Sequence, residues 1–236
     1  MAFADHFSQI AARYAAYRPH YPAALLELLA MHAPARDLAW DAGCGTGQLA
    51  VALAARFARV VATDPSPQQI AAAEPGPEYR CEPAEQSTLA TASCDLVVAA
   101  QAAHWFDWPR FVAEVGRVAR PGALVALVSY GVPRFAGDAP FQAFRAVAAP
   151  YWPPGREHVD DGYQHLVWPW PAIAAPPLEL VEHWTGEEIL GYVGTSSAAQ
   201  RLAAAHGTAA IEALAAALSP GRRAVHWPLV VKLARR

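Results

Sequence analysis

The chain has 236 residues, 54% of them hydrophobic and 17% charged, with a formal net charge of −3. That length suits one large domain with a cap, and that apolar share supplies a sizeable core. The weak negative charge argues against a phosphate-backbone binder, which needs a basic stripe, and against an acidic disordered tail.

Residues 5–16 read as a short amphipathic helix, with Phe7, Ile10 and Tyr14 at helical spacing. Tyr17-Arg18-Pro19 ends it, because a residue before proline is pushed out of the helical region. Pro22 opens a second helix built on Leu25, Leu26, Leu28 and Leu29. Residues 37–42 form a strand that runs into Gly43-Cys44-Gly45-Thr46-Gly47, and 49–57 read as a helix. A second strand, 59–63, ends at Asp64-Pro65. Residues 67–73 are helical until Pro75-Gly76-Pro77. A third strand spans 78–82, a fourth 95–100, a helix 108–119, a turn Pro121-Gly122 and a fifth strand 123–129. These strands are nearly continuous apolar runs alternating with helices, the pattern of a doubly wound, mostly parallel α/β sheet covered on both faces.

After Tyr130 the rhythm changes. Residues 131–177 are rich in Pro, Trp and Tyr, with one helical run at 140–149. A sixth strand is expected at 178–184, helices at 186–193, 197–205 and 208–218, and a closing strand at 224–233. Pro228 lies inside that last run, so it is expected at the strand's start or at a bulge.

The apolar runs are too short for a membrane-spanning helix. The longest candidate, 202–218, is broken by His206, Gly207 and Glu212. Asp5 and His6 stand where a secretion signal would be basic and then apolar. Cys44, Cys81 and Cys94 make an odd set with no CxxC pair, which suits a reducing cytoplasm. The nine histidines include no HExxH and no zinc-type His/Cys spacing, so no metal is expected.

The most informative stretch is Asp41-Ala42-Gly43-Cys44-Gly45-Thr46-Gly47, which follows a strand and opens a helix. Its glycines let backbone approach a ligand closely. The GxGxG spacing differs from the GxGxxG of dinucleotide-binding enzymes. Asp64 closes the next strand, where a carboxylate can accept both hydroxyls of a ribose. It also reads as a helix cap for the run starting at Pro65. No GxSxG elbow accompanies a Ser/His/Asp order, so a hydrolase finds little support.

DAGCGTG at 41–47, VVATDPS at 60–66, CEPAEQSTL at 81–89, DLVVAAQAAHWFDW at 95–108 and FVAEVGRVARPG at 111–122 together resemble the motifs of class I S-adenosylmethionine-dependent methyltransferases. The match is to the small-molecule group with the methyltransferase type 11 domain. YAAYRPHYP at 14–22, AQAAHWFD and HWPLVVKLARR at 226–236 are similar to enzymes related to trans-aconitate methyltransferase.

The resemblance implies a seven-stranded Rossmann-like sheet in one domain, 1–236. Lid helices would occupy 1–35, a cofactor core 36–130, and an acceptor cap 131–177 and 185–222. It implies S-adenosyl-L-methionine as cofactor. Asp41 and backbone near Gly43 and Gly45 would face its amino-acid end, and Asp64-Pro65 its ribose. Ala84 and Glu85 would border adenine, and Gln101 would lie beside the methionine portion. Tyr17 and Arg18 match a segment that folds over the cofactor. His104 is the candidate general base, or a pocket-shaping histidine.

The expected reaction is methyl transfer to a small molecule. A carboxylate acceptor needs no base and would be held by Arg18, Arg134, Arg145 or Arg201. A hydroxyl or carbon acid needs His104. Tyr151, Trp152, Tyr163, Trp168, Trp170 and Trp184 read as an aromatic cap around the acceptor. Thr195-Ser196-Ser197 stands where the resembling enzymes usually keep a bulky aromatic. Partners are limited to the small-molecule acceptor, without nucleic acid or membrane, in a monomer or homodimer. AAQA after the fourth strand replaces the NPPY-type tetrapeptide of nucleic-acid methyltransferases. The competing reading is a non-catalytic module that binds the cofactor.

Overall fold

A computed structural model describes residues 17–152, 158–159 and 161–236, and the helix expected at 5–16 lies outside them. In chain order the first elements are α1 (Ala23–His32), β1 (Leu38–Ala42), α2 (Gln48–Leu53), β2 (Arg59–Thr63), α3 (Pro67–Ala71) and β3 (Glu78–Arg80). Next come β4 (Cys94–Ala100), α4 (Trp108–Val118), β5 (Ala119–Tyr130), β6 (Arg134–Phe135), α5 (Ala139–Ala148) and β7 (Ala172–Ile173). The chain closes with β8 (Leu178–Trp184), α6 (Gly186–Gly194), α7 (Ser197–His206), α8 (Ala209–Ala217) and β9 (Arg223–Arg235). Nine strands thus form among the described residues where seven are expected, because β6 and β7 are two-residue pieces that carry no sequence pattern.

The chain gathers into two compact units. The larger comprises 21–131, 158–179 and 228–236, so the Trp-rich stretch after 158 gathers with the core. Its strand order is β3-β2-β1-β4-β5-β9. The first five are parallel, and β9 runs antiparallel to β5 from Leu124↔Arg235 to Tyr130↔Leu229. Strand order reverses between β1 and β4, the place where such sheets leave a crevice at their carboxyl ends. The expected turn at Pro121-Gly122 is instead an irregularity within β5, where the register shifts between Cys94↔Ala119 and Leu96↔Leu124.

Alternation along the strands divides the apolar side chains between two faces. Trp40, Val61, Val97, Ala99, Val125 and Leu127 pack with Phe111, Val115 and Val118 of α4 and with Tyr163 and Trp168. Ala39, Val60, Leu96, Val98, Leu124 and Ala126 pack with Leu25 and Leu29 of α1 and Leu49 and Leu53 of α2. Asp107 starts α4 by accepting the Arg110 amide, with a proline in the first turn. Asp95 pins the start of β1 by accepting the amides of Asp37 and Leu38 at 2.9 and 3.0 Å.

Glu114 is the buried polar knot of α4. Its Oε1 accepts the amide and hydroxyl of Ser87 at 2.8 and 2.7 Å, and Arg117 donates to both of its oxygens. Burial works against this carboxylate, yet the bonds from Arg117 and Ser87 outweigh it and hold its pKa below the usual value. Glu114→Ala is expected to cost about 2 kcal/mol, because it strands the Ser87 amide and hydroxyl, while Arg117 keeps the carbonyls of Ser87 and Leu89. Urea unfolding measures it, and a loss below about 1 kcal/mol would contradict the account.

Among the described residues, the smaller unit comprises 17–20, 132–152 and 180–227. β6 pairs antiparallel with the start of β9 through Arg134↔His226 and Phe135↔Val225. Trp184, Tyr192 and the fully buried Trp227 form an aromatic cluster, with Trp184 and Trp227 centroids 4.9 Å apart edge to face. Thr185 and Glu188 cap α6 reciprocally, at 2.7 and 3.2 Å. Ser196 caps α7 by accepting the Ala199 amide, a role an aromatic could not fill. Trp184 belongs to this unit, whereas Tyr163, Trp168 and Trp170 lie in the larger one.

Pro228 departs from expectation. It stands in the interior of β9, between the residues paired with β6 and those paired with β5. There its carbonyl accepts the Gly131 amide at 3.0 Å, and its missing N–H falls where the strand changes partner.

Candidate active site

The carboxyl ends of β1, β2 and β4 in the larger unit assemble most of the expected site. Asp41, on β1, is 1% exposed, and neither of its oxygens has a hydrogen-bond partner. Burial pushes its pKa up to about 7, reinforced by the charge of Asp64 and partly opposed by the nearby Ala50 amide, which falls short of hydrogen-bond geometry.

The loop is held from the next strand. The amides of Gly43 and Cys44 both donate to the Thr63 carbonyl, at 2.8 and 2.9 Å. Asp64 Oδ2 accepts the Gly45 amide at 3.0 Å, and Oδ1 accepts the Ser66 amide at 2.9 Å. Asp64 thus clasps the glycine turn to the start of α3. The helix cap itself is Ser66, with Pro67 first in the helix, which corrects the reading of Asp64 as the cap.

Two glycines divide the labour of the turn. Gly43 has φ +72°, and a Cβ there would meet Ala102 Cβ at 2.6 Å and the Phe106 ring at 3.0 Å. Gly45 has φ +56°, and a Cβ there would find only Gln69 Oε1, at 3.9 Å. Gly43 is required by the protein's own packing against the loop after β4, whereas the space at Gly45 is open.

Pro65 is exposed beside Asp64, and Ala84 is buried in the core. Glu85 Oε1 accepts the Asp107 amide at 2.8 Å, so this loop carboxylate is fixed just before α4. Gln101 adopts φ +54°, a conformation costly for a non-glycine residue, at the end of β4. Its amide nitrogen donates to the Tyr130 carbonyl at 3.1 Å. Tyr17 and Arg18 fall in the smaller unit: Tyr17 packs against Gly191, and the Arg18 guanidinium lies 5.5 Å from the centre of the Tyr192 ring.

His104 follows on the short helical turn Ala103–Trp105. Its Nδ1 lies 3.0 Å from the hydroxyl of Tyr163, a fully buried residue with φ +58°. Lys232, on β9, donates to the carbonyls of Tyr163 and Leu166, both at 2.7 Å, and so holds that segment. Sequence reading placed Tyr163 in a cap and passed over Lys232, because a contact across 59 residues leaves no local spacing signal.

A buried carboxylate without a protein partner lies at the first β–α junction. Beside it are an open glycine face and an acidic clasp at the end of the adjacent strand. This set fits a ligand that brings its own cation and hydroxyl donors, as S-adenosylmethionine does with its ammonium, sulfonium and ribose. The fold is that of a class I methyltransferase. The comparisons agree. The family model described as a methyltransferase domain matches residues 40–127. A Dictyostelium discoideum protein named as a methyltransferase is 32% identical over 204 residues, covering 83% of this chain and 78% of its own. A solved structure from Anaeromyxobacter dehalogenans, assigned as a type II methyltransferase, is 43% identical with a TM-score of 0.85. That match covers 92% of this chain and 97% of the other. An uncharacterized methyltransferase of Mycobacterium tuberculosis is 39% identical over 125 residues, and the chain spans about half of that relative's length, 51%.

The chain belongs to the methyltransferase domain family. It is an S-adenosylmethionine-dependent methyltransferase, with S-adenosylmethionine as the methyl donor. No described helix is long and apolar enough to cross a membrane.

Proposed function

We propose that the first β–α junction of the larger unit binds the methyl donor and that a small-molecule acceptor is methylated beside His104, in the cytoplasm. The observation that carries the reading is the unpartnered Asp41 carboxylate beneath a turn whose Gly45 side is open. When bound, the donor supplies an electrophilic sulfonium methyl group.

The chain's own residues then bind and orient. Each oxygen of Asp64 accepts one backbone amide and keeps a second lone pair, enough for two ribose hydroxyls. Glu85, fixed by the Asp107 amide, borders adenine, with Ala84 buried behind it. Gln101, with its amide nitrogen committed to Tyr130, presents its side-chain oxygen to the methionine portion. In the tautomer whose Nδ1–H donates to the Tyr163 hydroxyl oxygen, the lone pair on Nε2 takes the proton of an acceptor hydroxyl or carbon acid.

This favours a hydroxyl or carbon acceptor over a carboxylate. The test is an acceptor screen, spanning organic acids, hydroxyl compounds and amphipathic metabolites, read by S-adenosylhomocysteine release. With the acceptor in hand, His104→Ala is expected to lower kcat by about 100-fold or more, leaving donor affinity unchanged. Tyr163→Phe is expected to lose roughly 10-fold and to shift the pH profile, as a residue that positions the base should. A loss of only a few-fold in His104→Ala would instead mark an acceptor that needs no base.

A further inference from the structure

Beyond methyl transfer, the loop at 158–165 gathers three side chains that the sequence reading did not combine. The donor atoms of His158, Asp161 and His165 all lie within 4.8 Å of one another. Asp161 Oδ2 and His165 Nδ1 are 3.4 Å apart. That is about the edge of a tetrahedron around an ion with bonds of ~2.0–2.1 Å. The imidazoles of His158 and His165 lie with centroids 3.9 Å apart. Gly162 and Tyr163, at φ +69° and +58°, make a left-handed turn that carries His165 back over His158.

We propose that His158, Asp161 and His165 form a binding site for a divalent transition-metal ion, with zinc the ion their chemistry fits. Two imidazoles and one carboxylate suit zinc and its neighbours, whereas magnesium and calcium prefer oxygen ligands throughout. An Asp–His pair by itself would explain the 3.4 Å approach, but not a second imidazole tilted at 42° against the first. Asp161 and His165 are exposed, so an ion can reach them and keep solvent in its remaining position. Among the described residues Lys232 is a cation facing this loop: the Asp161 charge bears on its ammonium, and its two carbonyl bonds to Tyr163 and Leu166 keep it in place. Its repulsion sets an affinity below that of a closed four-ligand site. An ion here would pin the turn that carries Tyr163, and through Tyr163 the orientation of His104.

The experiment is calorimetric titration of the tag-free full chain with zinc chloride in a non-chelating buffer. It is paired with cobalt(II) absorbance between about 500 and 650 nm, which reports a low-coordinate site. One equivalent binding in the micromolar range or tighter is expected, with zinc shielding His158 and His165 from diethyl pyrocarbonate. The exposed pair change Asp161→Asn with His165→Gln is expected to weaken binding at least tenfold, with near-ultraviolet circular dichroism unchanged, whereas His183→Gln leaves it as it was. Absence of a saturable one-equivalent heat, or equal affinity in the double variant, overturns the proposal. Neither result bears on donor binding at Asp41, which is read separately.

Discussion

Asp41→Asn is expected to stabilise the ligand-free protein at pH 8 and at the same time to weaken S-adenosylmethionine binding about 100-fold. The opposite signs follow from one fact: a fully buried carboxyl without a hydrogen-bond partner. Burial lifts its pKa from 3.8 to about 7. The folded state therefore holds a proton that the unfolded state has released across that interval. Stability from this group is full below the unfolded value and falls as pH rises through about 7. The upper limit of the loss is roughly 4 kcal/mol. Asparagine removes the titration, so the variant should match the native protein near pH 4 and exceed it by about 1–3 kcal/mol at pH 8. A donor that brings a cation to the ionised carboxylate loses that attraction in the variant. Urea unfolding at several pH values and calorimetry with S-adenosylmethionine check the two arms. Donor affinity within threefold of native would refute the assignment of Asp41, whatever the stability data show.

Gly43→Ala and Gly45→Ala are expected to fail in different ways. At Gly43 the new methyl must share space with Ala102 Cβ, which is rooted in the backbone and cannot swing aside, and the φ is left-handed. A loss of about 3 kcal/mol is expected, or roughly 6–12 °C in Tm. At Gly45 the strain is about 1 kcal/mol and the methyl meets open space. That variant should fold nearly normally yet bind the donor at least 30-fold more weakly, because the methyl occupies the face offered to the ligand. Melting curves and donor titration separate the two. Tight donor binding by Gly45→Ala would show that the ligand does not approach that face.

What the sequence made legible was local. The alternation of strands and helices through residue 129, the glycine turn after β1 and the carboxylate after β2 are each written in consecutive residues. The structure places them at the carboxyl ends of neighbouring strands. Asp41 was legible as a loop residue, but not as an unpartnered one, because pairing depends on where Thr63 and Asp64 direct the loop amides. Tyr163 and Lys232 were missed for a related reason: their bonds cross 59 and 69 residues of chain. His158, Asp161 and His165 did carry a local signal, HxxDxxxH. Only the left-handed turn at Gly162 and Tyr163 makes that spacing converge.

The proline in the middle of β9 has a consequence for how the fold opens. It interrupts the ladder at one residue, so residues 229–235, paired with β5, and residues 225–226, paired with β6, need not open in the same event. Deuterium uptake along this last strand should therefore fall into two kinetic classes that meet at Pro228, letting the end of the chain loosen on one side without unzipping the other.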